Sequence, residues 1–128
     1  MASGIATAEI DRMINASLNG TTFTLPTTPM KLALNTATSS DASAGTEVTG
    51  GSYARQTIAF GTSAGSGVSN TGAVTFTNMP AATTTNVNIY DSNGTPRRAW
   101  WGDLTASKTT ASGDTLSFAI GAVTVNMT

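Results

Sequence analysis

The side chains that could support catalysis are three aspartates, Asp91, Asp103 and Asp114. Two carboxylates on either side of one glycosidic bond are the machinery of glycoside hydrolysis. The chain has no histidine and no cysteine, which removes Ser-His and Cys-His nucleophilic pairs and most zinc sites. Asp91 and Asp114 occupy turn motifs that favour aspartate, and we expect Asp103 to pair with an arginine. The residues therefore predict a protein that is not an enzyme and carries no cofactor.

The spacing of three oxygen-bearing side chains raises the question of a calcium-binding site. Asp41, Ser43 and Glu47 are spaced like calcium ligands within residues 36–52, a long loop of small and polar residues. The loop lacks the remaining oxygen donors and the placement that an EF-hand requires. We therefore expect no bound metal.

A cluster of arginine and tryptophan side chains, Arg97-Arg98-Ala99-Trp100-Trp101, contains the residue types most enriched at interface hot spots. In a strand, Arg98 and Trp100 share one face, and Trp101 lies on the other. One tryptophan is therefore expected in the core and one outside it. Three arrangements are open for the outer ring: packing on its own sheet beneath an arginine stem, insertion into a neighbouring subunit, or a platform for sugar.

The segment from Glu47 to Phe60 is the densest group of functional side chains in the first half of the chain. Two glycines end a loop there, and alternation predicts a strand over Tyr53–Phe60. Tyr53 and Arg55 lie on the same face of this strand. We expect Arg55 to pair with Glu47 or with a neighbouring subunit.

One segment, residues 5–18, has helical periodicity. Its apolar stripe consists of Ile10, Met13, Ile14 and Leu18. Ser3 or Thr7 is expected to cap its start, Glu9 complements the helix dipole, and Asn19-Gly20 closes it. So short an amphipathic helix must dock. The sequence leaves open whether it docks on its own domain or on another subunit.

Alternating apolar residues predict further strands at Met30–Asn35, Ala73–Asn78, Thr83–Tyr90, Arg97–Leu104 and Thr115–Met127. Gly121 interrupts the last of these and predicts a bulge or a bend. The pattern favours an all-β fold, an antiparallel β-sandwich of six to seven short strands with one N-terminal amphipathic helix. We expect residues 1–20 to be a helical docking arm and residues 21–128 to be a single β-sandwich domain.

Charge is scarce in this chain. Of 128 residues only 10% are charged, the net charge is −1, and 25 residues are threonine. Six scattered basic residues do not make a nucleic-acid surface, and no apolar run has the length of a membrane span. Soluble monomers usually rely on charge for solubility. The composition therefore favours a protein that packs against copies of itself.

Several motifs together resemble a family of small tailed-bacteriophage virion proteins, labelled tail-fibre-like or minor tail proteins. The most specific motif is Thr46-Glu47-Val48-Thr49-Gly50-Gly51-Ser52-Tyr53-Ala54-Arg55-Gln56. The others are Leu32–Leu34, Val74–Asn78, Val87–Asp91, Leu104-Thr105 with Lys108-Thr109, and Gly113–Thr115. The resemblance covers residues 8–127. It implies a structural protein of the virion that is assembled in the cytoplasm of the bacterial host.

From this resemblance and the composition we expect a capsid decoration or minor capsid protein, a homotrimer that binds the phage major capsid protein. The alternatives are a tail-fibre or tail-tip protein that contacts tail proteins or host surface glycan, and a carbohydrate-binding module unrelated to virions. No nucleic-acid or membrane partner is expected. The predicted interface residues are Ile10, Met13, Ile14, Tyr53, Arg55, Arg97, Arg98, Trp100 and Trp101.

Overall fold

The computed structural model describes residues 2–127, which form one helix and ten strands. The helix, α1, spans Thr7–Leu18. The strands are β1 Ser3–Ile5, β2 Met30–Ala37, β3 Thr46–Glu47, β4 Gln56–Ile58, β5 Gly67–Ser69, β6 Val74–Met79, β7 Ala82–Tyr90, β8 Arg98–Thr110, β9 Asp114–Phe118 and β10 Thr124–Asn126. Among these residues no helix has the length and hydrophobicity needed to cross a membrane.

The strands form a central six-stranded sheet and two strand pairs, all antiparallel. The central sheet has the order β1-β8-β7-β2-β3, and β4 also pairs with β2. The pairs are β6 with β9 and β5 with β10. The β6–β9 pair supplies the second layer over the core, so the predicted antiparallel β-sandwich with an N-terminal helix is confirmed. The three strands that were not expected, β1, β3 and β5, have only two or three residues each.

The core lies between the central sheet and the β6–β9 pair. Alternation in β2 directs Leu32 and Leu34 into it, where both are fully buried. The ring of Phe76 is central: it stacks on Tyr53 at 6.0 Å and meets Phe118 edge-on at 6.4 Å. The buried apolar cluster consists of Leu32, Leu34, Val48, Ile58, Val74, Phe76, Met79, Ile89 and Leu116.

The opposite face of the central sheet is polar and is covered by the loop after β2. Asn35, Asn86 and Asn88 are fully buried there, and the Asn88 side chain donates to the carbonyl oxygen of Ala44 at 2.9 Å. Buried carboxamides need such partners. Gly45 has φ +67°, and a Cβ there would lie 2.5 Å from the Ala37 carbonyl oxygen, so the loop can approach the sheet only with glycine at this position.

The predicted helix of residues 5–18 and the predicted strand Tyr53–Phe60 both begin later in the structure than expected. Ser3–Ile5 pair with β8 as a strand, so the helix begins at Thr7, and the expected caps are wrong because Ala6 occupies the N-cap without a side-chain hydrogen bond. The division into residues 1–20 and 21–128 stays a prediction. Tyr53–Arg55 lie outside β4, because the Tyr53 N–H donates to the Gly50 carbonyl in a turn.

The later strands follow the predicted positions more closely. β7 and β8 form the expected hairpin across residues 91–97, although β8 runs to Thr110 rather than Leu104. The final segment divides at Gly121, which has φ +79°. Its two halves, β9 and β10, join different strand pairs, so the phase break seen in the sequence is a change of sheet.

Candidate interaction surface

The helix is attached to the body of the protein by an ion pair between Glu9 and Arg97. Nη2 of Arg97 lies 2.6 Å from Oε1 of Glu9, and Nε lies 2.7 Å from Oε2. The remaining Nη1 donates to the Thr24 carbonyl at 2.8 Å, and Arg12 also binds Glu9 at 3.0 Å. The first turns of the helix therefore dock on the same chain.

The charge state of Glu9 is fixed by these contacts. Burial alone raises the pKa of a carboxyl group, but the hydrogen bonds and positive charges of Arg97 and Arg12 outweigh it. As a result the pKa of Glu9 is lower than its ordinary value. The same pairing raises the pKa of Arg97, so the pair is ionised at neutral pH.

The apolar stripe of the helix is only partly covered by this docking. Ile10 and Met13 are half-buried, whereas Ile14 is exposed and Leu18 is 78% exposed. Leu25, in the connection after the helix, is 76% exposed. Large apolar side chains that cluster on a surface often mark contact sites. The C-terminal half of the helix therefore presents apolar surface to solvent.

The loop that follows β2 is held to β8 by Arg98 and Trp101. The Trp101 Nε1–H donates to Oδ1 of Asp41 at 2.7 Å, and Nη2 of Arg98 donates to the Asp41 carbonyl at 2.9 Å. The Trp101 ring also lies against Gly4 of β1. Trp101 is thus the outer tryptophan, and it packs on its own sheet and loop.

Trp100 faces the other way, toward the core. It is half-buried and packs against the apolar cluster beside Val87 and Phe118. These side chains line a cleft of about 700 Å³ between β8 and the segment from Ser117 to Met127. The expected division of the two tryptophans between core and exterior is therefore observed, although the cleft leaves Trp100 partly uncovered. The expectation that Arg98 shares the face of Trp100 is wrong: Arg98 contacts Asp41 together with Trp101, because the register of β7 and β8 shifts between Trp100 and Arg98.

A second ion pair lies in the turn before β4. Nε of Arg55 donates to Oε1 of Glu47 at 2.6 Å, and the guanidinium carbon lies 3.7 Å from the centre of the Tyr90 ring. The Tyr53 hydroxyl accepts the N–H of Leu34 at 2.9 Å, and burial raises the pKa of Tyr53. Of the two partners expected for Arg55, the structure shows the one within the chain.

Each of the three aspartates with catalytic potential accepts hydrogen bonds from backbone N–H groups. Asp91 accepts N–H groups of Thr27, Asn93 and Arg97, which outweigh burial and lower its pKa. Asp114 accepts the Ala111 N–H. Asp103 accepts the Ala2 N–H, so its expected pairing with an arginine is wrong. Among residues 2–127 no group of three or more acidic residues could hold a metal ion.

The family comparison connects this architecture to a known class of proteins. The model of the family described as Podophage GP4 fiber I protein gp80 matches residues 4–126.

The chain belongs to this podophage fibre family. No curated protein matches the chain at a significant level. Membership confirms the resemblance to tailed-phage structural proteins, and it favours the fibre alternative over the capsid role that we expected first.

In this fibre protein five of the nine predicted interface residues form two groups of contacts within the chain. Arg97, Arg98 and Trp101 meet the helix and the loop after β2, whereas Tyr53 and Arg55 lie on the other side of β7, near Tyr90. Their role as an interface stays a prediction. Glu9, which binds Arg97, and Asp41, which binds Arg98 and Trp101, were not predicted from the sequence as partners of these residues. One available signal was that Glu9 lies four residues before Met13 and so borders the apolar stripe.

Proposed function

We propose that this chain is a non-enzymatic structural subunit of a phage fibre that assembles with copies of itself, as a homotrimer, in the virion. The family match over residues 4–126 carries this proposal. The sparse charge and the exposed Leu25 and Ile120 support self-assembly, because closed symmetric oligomers cover apolar patches that a monomer exposes. In the proposed pathway, assembly takes place in the bacterial host cytoplasm.

The apolar half of the helix is the proposed attachment surface toward tail proteins. Its N-terminal turns are fixed by Glu9 and Arg97, while Ile14 and Leu18 are exposed. A rigidly placed apolar face costs little ordering entropy when a partner binds. The host-glycan role has narrower support, since the Trp101 ring is held by Asp41 and Gly4 and only Trp100 borders an open cleft.

Location and copy number in the particle test the proposal. Antibody labelling of purified virions, with quantitative mass spectrometry of the same particles, should place a small number of copies on the tail. Sedimentation equilibrium of the purified chain should give three times the mass of one chain. Hundreds of copies on the head would instead support the capsid decoration role, and a stable monomer would contradict self-assembly.

A variant of the helix separates attachment from folding. Leu18→Ser changes a side chain that is 78% exposed, so the unfolding transition should not move, while incorporation into particles should fall. Ser17→Ala, at the neighbouring exposed position, is the matched control and should incorporate normally. Equal incorporation of both variants would remove the helix from the proposed attachment surface.

A further inference from the structure

Strand β8 has an unpaired edge. It is 13 residues long, and β7 pairs with it at Arg98–Asp103 and at Lys108–Thr110, with a register shift between these two parts. On the other side β1 pairs only with Trp100–Gly102, and the Asp103 N–H donates to the Ala2 carbonyl at 2.7 Å. From Leu104 to Thr110 this side has no strand partner within residues 2–127. Unpaired N–H and C=O groups on an exposed edge favour pairing with another chain.

The unpaired edge borders the open cleft. The half-buried side chains of Trp100, Phe118, Val123 and Val125 pack against the core cluster on one side and line the cleft on the other. The cleft has a volume of about 700 Å³ and separates β8 from the segment Ser117–Met127. The main-chain groups of the edge and the apolar surface of the cleft are therefore available together at one place.

Two opposite charges mark the same surface. Asp103 and Lys108 both line the cleft, on the same strand and five positions apart. The ion pairs among residues 2–127 use Arg12, Arg55 and Arg97. The exposed side chain of Lys108 therefore has no acidic partner among these residues. The chain has only six basic and seven acidic residues. In a ring of copies around one symmetry axis, a surface that carries one charge of each sign can place its lysine beside the aspartate of the next copy.

We propose that the cleft side of β8 is a contact surface between copies of this chain, with Lys108 of one copy paired to Asp103 of the next. In a closed ring each subunit gives its lysine to one neighbour and its aspartate to the other. The apolar cleft supplies most of the affinity, since exposed ion pairs are weak. The two charges determine the relative orientation of neighbouring copies. This inference rests on the proposed self-assembly.

Reversal of one charge tests the pairing. Lys108→Glu places two acidic side chains on each surface, and the dissociation constant of the oligomer should rise roughly tenfold or more, measured by sedimentation equilibrium. Lys31→Glu is the matched control, because Lys31 lies on β2 and its ammonium binds the Thr57 hydroxyl. The control should assemble like the wild-type chain.

Mixed chains distinguish a specific pair from a general charge effect. Asp103→Lys alone should also assemble weakly, whereas an equimolar mixture with Lys108→Glu should recover part of the association. A ring of three that contains both variants has two contacts between opposite charges and one between like charges. Asp103 also holds the Ala2 N–H, so circular dichroism should verify the fold. If that variant does not fold, Asp103→Asn keeps an acceptor for Ala2 and should weaken the wild-type oligomer by a smaller factor.

The possible failures are distinguishable. If Lys108→Glu assembles like the wild-type chain, the surface is wrong while the proposed self-assembly stands. If the wild-type chain is a monomer at every concentration, both proposals fail. If Lys108→Ala associates more tightly than the wild-type chain, then the lysine protects the edge from pairing, and the proposed contact is overturned.

Discussion

Two segments of this chain are attached to the central sheet by glutamate–arginine pairs that differ in burial. Glu9 and Arg97 attach the helix, with side chains that are 5% and 14% exposed. Glu47 and Arg55 attach the turn before β4, with side chains that are 28% and 30% exposed. The closest nitrogen–oxygen distance is 2.6 Å in both pairs. Their geometry is thus similar, and the difference between them is in their solvation.

That difference determines what each pair contributes. Water and salt screen a partly exposed pair, so its charges add little to stability. A buried pair has a large desolvation cost that only the partner offsets, and loss of one partner leaves a charge without compensation. The attachment of the helix should therefore depend strongly on this pair, beside the hydrogen bond from the Thr7 N–H to the Asp41 carbonyl at 2.8 Å. The turn before β4 has a second support, since Arg55 also lies on the Tyr90 ring.

The largest expected effect is that of Arg97→Ala. It leaves Glu9 buried with Arg12 as its remaining ionic partner, and we expect the free energy of unfolding to fall by about 3 kcal/mol. Urea denaturation measures this loss, and hydrogen exchange should show the helix opening before the sheet. The double variant Glu9→Met with Arg97→Met should recover part of the loss. A loss below about 1 kcal/mol would mean that the pair behaves like an exposed one.

A smaller effect is expected from Arg55→Ala. The variant loses a partly exposed ion pair and a cation–π contact, and the free energy of unfolding should fall by about 1 kcal/mol. The wild-type contribution should shrink in about 1 M salt, where the screening length is about 3 Å. Arg55→Lys should recover only part of the loss because lysine lacks the planar fork. A loss equal to that of Arg97→Ala would remove the distinction between the two pairs.

The smallest effect is the share of acid sensitivity that comes from Glu9. Its folded pKa lies below its ordinary value of 4.5, so its contribution is present above that pH and is lost as the pH falls through the folded pKa. Glu9→Gln should be less stable at neutral pH but should lose less stability on acidification. Urea midpoints between about pH 6 and about pH 3 measure this. Parallel curves for both proteins would contradict it.

Contacts between residues that are close along the chain were predictable from the sequence. Alternation located β2 and the β7–β8 hairpin, and the short separation of Glu47 from Arg55 made their pairing a natural expectation. Periodicity reports which face of an element is apolar, and for β2 that face forms the core. Gly121 also marked the turn between β9 and β10.

Contacts between distant segments were beyond this reasoning. Glu9 and Arg97 are 88 positions apart, and Asp41 and Trp101 are 60 apart. Glu9 had a sufficient local explanation in the helix dipole, which concealed its tertiary role. The strand over Tyr53–Arg55 was predicted from alternation, but the turn hydrogen bond to Gly50 prevails there. Patterns of side chains do not encode which distant segments meet.

The pairing of β1 with β8 also sets an order of events during synthesis. Ser3 lies opposite Gly102, so the strand that receives the first residues is made about a hundred residues after them. At about 5–20 residues per second, the ribosome needs roughly 5–20 s to make that interval. Until then Glu9 lacks Arg97, and the apolar stripe of the helix is open to chaperones and to nascent neighbours on the same polysome. Docking of the helix is therefore among the last steps of folding.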